Sequence, residues 1–143
     1  SVHRDTPYLE RLAVRISDST GGSDVNVSVF DESRDMLAQR ALFASADFVV
    51  AGRYHPAVFA LSAGVPQLCI PYEHKATGVL QSAGLADLVV PLDDVTPERL
   101  RATARYVVNN ADDIRQRSCE AAVRLADISA RTSRSVVELM SVS

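Results

Sequence analysis

The 143-residue chain is predicted to adopt an α/β fold, a Rossmann-like parallel sheet with helices on both faces. Three observations predict it. The apolar runs Phe48–Ala51, Leu68–Ile70 and Leu88–Val90 have the length and composition of buried strands. Segments with apolar residues at helical spacing lie between them. The order of signals is α-β-α-β-α-β-α-β-α-α, and strict alternation with short, wholly apolar strands is the pattern of a parallel sheet covered on both sides.

The elements follow in order. Residues 6–18 read as a helix, because Leu9, Leu12, Ala13 and Ile16 recur on one face after Asp5-Thr6-Pro7, with proline near the first helical position. Gly21-Gly22-Ser23 is a loop. Val25, Val27 and Val29 alternate with polar residues, which predicts a strand. Residues 32–45 follow as a helix, then the strand Phe48–Ala51. Pro56–Ala63 is a short helix with Val58, Phe59, Leu61 and Ser62 on its inner side and Gly64 placed to terminate it. Leu68–Ile70 is a strand between two prolines. Residues 75–83 form another short helix closed by Gly84, and Leu88–Val90 is a fourth strand. Thr96 caps a helix that Pro97 opens and that ends near Asn109. A last helix spans Asp112–Met140, with a partly apolar face suited to the sheet or to a partner domain.

Size and composition narrow the function. The chain is one domain long, and 47% hydrophobic with 23% charged residues is the balance of a globular protein with a real core. A net charge of −3 provides no cationic field for nucleic acid or an acidic membrane. No apolar run approaches the roughly 20 residues that span a bilayer, and Ser1–Asp5 has no apolar leader region. These features predict a cytoplasmic protein, at most peripheral at the inner face of a membrane. Cys69 and Cys119 fit neither zinc-ligand nor disulfide-scaffold spacing and read as buried free thiols. Ser1–Asp5 resembles the end of a strand entering a helix, so the chain is expected to be the C-terminal half of a longer two-domain protein.

The chemistry concentrates between Asp47 and Lys75. In an open parallel sheet, ligands bind beyond the carboxyl ends of the strands. Arg53 and His55 follow the strand Phe48–Ala51, with Gly52 allowing close backbone approach. His55 precedes Pro56 and is expected at the cap of a helix, whose N-terminus carries partial positive charge and spare N–H donors. In extended chain Arg53 and His55 project together and Tyr54 points away to pack. Arginine offers a planar fork to phosphate or carboxylate, and histidine a proton near neutral pH. The plain alternative is a loop arginine and a capping histidine. After the next strand come Tyr72, Glu73, His74 and Lys75, the last being the one lysine beside fourteen arginines. Lys75 can place a point charge on an anion, and Glu73 can orient a hydroxyl; the alternative is a solvated helix entry. Arg4 would face the same edge if Ser1–Arg4 ends a strand of that sheet. Asp93-Asp94 and Asp112-Asp113 sit at helix starts, where carboxylates favour the helix dipole, and no metal site is expected.

Arg53-Tyr54-His55, then Phe59-Ala60-Leu61, Gly64-Val65-Pro66, Ile70-x-Tyr72 and Lys75 resemble the polysaccharide pyruvyl transferase family, most strongly over residues 45–90. Tyr54 stands where leucine is more usual. The resemblance implies the C-terminal, donor-side half of a glycosyltransferase-B-like fold. It implies transfer of the pyruvyl group of phosphoenolpyruvate to two sugar hydroxyls, giving a cyclic ketal and phosphate. By position, Arg53 and His55 match the family's Arg-x-His, and Tyr72 and Lys75 its Tyr-x-x-Lys. His55 is then the general acid/base, Arg53 the anion clamp, Lys75 its assistant, and Tyr72, Glu73 and Arg4 further substrate contacts. No cofactor is implied beyond phosphoenolpyruvate as co-substrate; the acceptor is a sugar or lipid-linked saccharide, and an N-terminal domain completes the cleft. Two other functions fit the same residues: a nucleotide-sugar glycosyltransferase, where His55 only caps a helix or touches diphosphate, and a non-catalytic ligand-binding domain.

Overall fold

The computed structural model describes residues 6–19, 26–29 and 35–141. Internal contacts divide the chain into two units, one ending at Met36 and one beginning at Leu37. In the first, α1 spans Thr6–Ser19, where the apolar spacing predicts a helix. Its face of Leu9, Leu12, Ala13 and Ile16 lines a shallow cleft with Val27 and Val29. The predicted strand over Val25–Val29 does not form: residues 26–29 are irregular and Val25 lies outside the described residues. Alternation makes a strand only where a neighbouring strand takes its backbone groups, and among the described residues Asn26–Val29 pair with none.

The second unit is a mostly helical α/β arrangement around a small parallel sheet. Helix α2 spans Met36–Ala44, shorter than the 32–45 expected; residues 32–34 lie outside the described ones. Strand β1 is Val49–Ala51 and β2 is Gln67–Cys69, paired in parallel with Val49 opposite Gln67 and Ala51 opposite Cys69. Helix α3, Tyr54–Ser62, carries the chain between them. After β2, α4 spans His74–Ser82. The expected fourth strand shrinks to one bridge, Val89 beside Cys69, with Val90 N donating to Cys69 O at 2.8 Å. Its first residue, Leu88, is consumed by a 3-10 turn over Ala86–Leu88, so no run of extended residues remains to pair. A second such turn, Leu92–Asp94, leads to α5, Pro97–Asn109, and α6, Ala111–Ser141.

Both short helices end in the way their glycines predict. Gly64 and Gly84 have φ of +67° and +76°. After α3, Val65 N donates to Ala60 O at 2.9 Å and Gly64 N to Leu61 O at 3.1 Å. After α4, Leu85 N donates to Leu80 O at 2.8 Å and Gly84 N to Gln81 O at 3.0 Å. Each pair is a Schellman closure, and the apolar residue that follows, Val65 or Leu85, is buried in the core.

That core joins Val49, Ala51, Ala57, Ala60, Leu61, Cys69, Leu80, Leu85 and Leu88 to Val107 of α5 and Ile114 and Ala121 of α6. The inner side of α3 is therefore Ala57, Phe59, Ala60 and Leu61, shifted from the expected set, with Ser62 exposed. Every residue of β2 is buried, as a strand covered on both faces must be. In β1 only Val49 and Ala51 are; Val50 is 58% exposed, so one face of β1 is open. Of the thiols, Cys69 is buried and pushed up to about 11 by that burial. Cys119 is exposed, against expectation, although its sulfur lies close to Gly64.

Candidate functional site

The parallel pairing of β1 and β2 puts the segments that follow them at one sheet edge, on neighbouring strands about 4.8 Å apart. Ile70 N donates to Ala51 O at 2.8 Å, so the two chains stay paired to the last residue before they diverge. Arg53 and His55 leave on one side, and Tyr72, Glu73, His74 and Lys75 on the other. All six are exposed, and Tyr54, between Arg53 and His55, is half-buried.

Local geometry corrects the expected position of His55. The helix begins at Tyr54 with Arg53 as its N-cap, in extended backbone at φ −125° and ψ 162°. Ala57 N donates to Arg53 O at 3.3 Å, closing the first turn across Pro56. Proline fits there because the first-turn N–H groups have no helical acceptor. His55 is thus the second helical residue, and the alternation of extended chain stops at Arg53. Tyr54 does not point away from His55 either: its ring meets the imidazole edge-on, centroids 5.5 Å apart. Gly52 has no positive φ, and a Cβ there would meet nothing nearer than Ile70 O at 3.9 Å, so its small size answers no demand within the chain.

Helix α4 repeats the plan, with Glu73 as N-cap in extended backbone. Neither Arg53 nor Glu73 caps its helix through its side chain, whereas Thr96 accepts from Arg99 N at 3.1 Å at the start of α5. Two helix N-termini of uncapped amides therefore stand side by side at the carboxyl edge, flanked by Arg53 and Lys75. Among the described residues the side chains of Tyr72, Glu73, His74 and Lys75 form no hydrogen bond or ion pair, which leaves their donors and acceptors for a ligand. Donors of these kinds, gathered at one edge, are the groups that can receive an anion. Arg4 lies outside the described residues.

One contributor escaped sequence reasoning. Gln67 opens β2, is fully buried, and donates from Nε2 to Ala57 O at 3.1 Å. It ties the first turn of α3 to the sheet. The only signal was a polar residue between Pro66 and an apolar strand.

The sequence model of the family described as polysaccharide pyruvyl transferase matches residues 2–74, just over half of the chain. The chain belongs to this family. The match takes in Arg53, His55, Tyr72 and Glu73 and ends one residue before Lys75. Among curated proteins, the amylovoran biosynthesis protein AmsJ of Erwinia amylovora is 28% identical over 121 residues, covering 85% of this chain. The pyruvyl transferase-family chain spans only 28% of the length of that relative. No solved structure matches it.

Among the described residues, an interlinked ion pair lies at the other end of α4. Arg117 of α6 donates to Asp87 Oδ1 at 2.7 Å and Oδ2 at 3.0 Å, and to Gly84 O at 2.9 Å. Tyr106 Oη of α5 donates to Asp87 Oδ2 at 3.0 Å. Burial works to raise the Asp87 carboxyl, but the hydrogen bonds from Arg117 and Tyr106 and the Arg117 charge outweigh it and hold it below the usual carboxylate range. A depressed folded value stabilises the fold above the unfolded carboxylate's pKa of about 3.9 and ceases to do so as pH falls through the folded value. Asp87→Asn is therefore expected to lower stability at pH 7 by about 1–2 kcal/mol, a charged hydrogen-bond pair discounted for its exposure. Urea melts across pH should show the gap between variant and wild type closing below about pH 4; a gap independent of pH would sink the assignment.

Proposed function

We propose that this chain forms the phosphoenolpyruvate-binding half of a cytoplasmic polysaccharide pyruvyl transferase, with a glycosyltransferase-B-like arrangement completed by a further domain. One observation carries the reading: the Arg-x-His stretch enters α3 at the same sheet edge where Lys75 stands in the first turn of α4. Phosphoenolpyruvate carries a phosphate and a carboxylate. Two bare helix N-termini, a guanidinium and an ammonium match that charge. The small share of AmsJ that the chain spans supports a second domain and the acceptor contacts it brings.

The chemistry then runs without a cofactor. His55 gives a proton to C3 of the enol, and C2 becomes electrophilic. One sugar hydroxyl bonds to C2, phosphate departs with the C–O electron pair, and the second hydroxyl closes the ketal. One hydroxyl proton replaces the one taken from His55, and the other leaves with phosphate. Arg53 and Lys75 hold the anion while charge moves onto the departing phosphate, and Glu73 and Tyr72 contact the substrates at the rim. A nucleotide-sugar donor would need the cations but no proton from His55.

The test is a phosphoenolpyruvate titration of the 143-residue chain followed by phosphorus NMR. Saturable binding with Kd on the order of 1 mM, about −4 kcal/mol, is expected for half a site. Saturation by a nucleotide diphosphate sugar with none by phosphoenolpyruvate would refute it.

A further inference from the structure

We propose that Phe59 is a positioning residue for His55: its buried ring backs the imidazole and sets the plane in which the two ring nitrogens face a ligand. This rests on the reading of His55 as the proton donor, and its physical basis is separate. The two residues are four apart on α3, the spacing at which helical side chains meet. Their ring centroids are 6.1 Å apart and their planes 26° from parallel, within the range of offset-stacked aromatic pairs. Phe59 is 8% exposed, so its own ring is fixed by packing. Phe43 of α2 packs against it at a tilt, with centroids 5.8 Å apart.

His55 by contrast is exposed, and an exposed side chain ordinarily exchanges rotamers. What restrains it is aromatic on two sides, Phe59 by stacking and Tyr54 by its edge. Among the described residues no protein group hydrogen-bonds the ring. Catalytic histidines are commonly oriented through one nitrogen by a carboxylate or carbonyl. Here the ring is oriented through its faces, and both nitrogens stay available, one to deliver a proton and one to recover it. The series Phe43, Phe59, His55 also connects the packing of α2 to the ligand edge. Without Phe59 the imidazole keeps its chemistry and loses its aim, and small misplacements of a catalytic group are costly.

Proton NMR of the wild-type chain tests the stack without any substrate. Cross-relaxation between the His55 and Phe59 rings is expected, with the His55 ring protons displaced upfield of a free imidazole. Phe59→Leu should erase the displacement while circular dichroism stays unchanged, and Phe59→Tyr should restore it. No cross-relaxation in wild type would overturn the proposal even if Phe59→Leu failed to fold; so would an unchanged His55 spectrum in a folded Phe59→Leu chain. In the longer enzyme, Phe59→Leu is expected to lower kcat by about tenfold to a hundredfold with KM little changed. An intact enzyme without pyruvyl transfer would remove the proposed reaction and leave the stack to the spectra.

Discussion

Arg53→Ala is expected to eliminate saturable phosphoenolpyruvate binding by this chain and to reduce turnover by the longer enzyme by two orders of magnitude or so. The size follows from what the guanidinium does. In the proposed role it would supply two parallel N–H donors to one oxyanion, and a hydrogen bond to a charged group contributes about 1.5–3 kcal/mol. Removing it from a site with Kd near 1 mM moves Kd to roughly 10–100 mM, past the end of a practical titration. Arg53→Lys keeps the charge and loses the fork, so it should fall between. Lys75→Ala should cost less, because an exposed ammonium is a single hydrated charge. The residues differ in kind from His55: His55→Ala should leave phosphoenolpyruvate binding within a few-fold of wild type and abolish turnover, since a proton donor acts in the transition state and not in ground-state binding. Isothermal calorimetry and steady-state kinetics on these four variants separate these roles. Equal binding by wild type and Arg53→Ala would refute the clamp.

The βαβ unit that carries these residues was legible because three independent signals agreed over it. Short apolar runs mark β1 and β2, helical spacing marks α3, and Gly64 and Gly84 mark where α3 and α4 stop. Where only one signal existed, it misled. Val27 and Val29 alternate but find no ladder among the described residues. Leu88–Val90 is apolar throughout, yet backbone hydrogen bonding there gives one bridge after a turn. His55 was expected at the cap because residues before proline avoid helical backbone; the helix instead starts two residues earlier, at Tyr54, and takes Pro56 into its first turn. That preference is weak against a first turn whose carbonyl from Arg53 already has its donor in Ala57 N. The contacts that fix α6 and α3, Arg117 to Asp87 thirty residues away and Gln67 to Ala57, have no periodicity to reveal them. That Arg53, His55 and Lys75 gather after neighbouring strands was readable from the strand pattern, while the rings packed beside His55 needed coordinates.

Gly64→Ala is expected to be the most destabilising single-methyl change in the second unit, and the chain contains its own control. Both Gly64 and Gly84 have left-handed backbone, φ +67° and +76°, where a Cβ costs roughly 1–2 kcal/mol. At Gly84 a Cβ would meet nothing within 4 Å, but at Gly64 it would lie 2.6 Å from Cys119 Sγ and 3.7 Å from Arg115 O. Gly84→Ala therefore measures the backbone cost alone. Gly64→Ala adds overpacking between α3 and α6, typically a further 1–3 kcal/mol, for a total of about 2–5 kcal/mol. The excess should be recoverable: in the Gly64→Ala background, Cys119→Ala removes the obstructing sulfur and should return the cost to near the Gly84→Ala value. A double-mutant cycle by chemical denaturation yields that coupling directly. Equal losses for Gly64→Ala and Gly84→Ala, with no coupling to Cys119, would mean that α6 does not pack against the turn after α3. The consequence reaches the site, since Gly64 ends the helix whose other end presents Arg53 and His55. A shift of α3 to relieve the clash would move that end as well, so Gly64→Ala should weaken phosphoenolpyruvate binding while Gly84→Ala, on the neighbouring helix and unobstructed, should not.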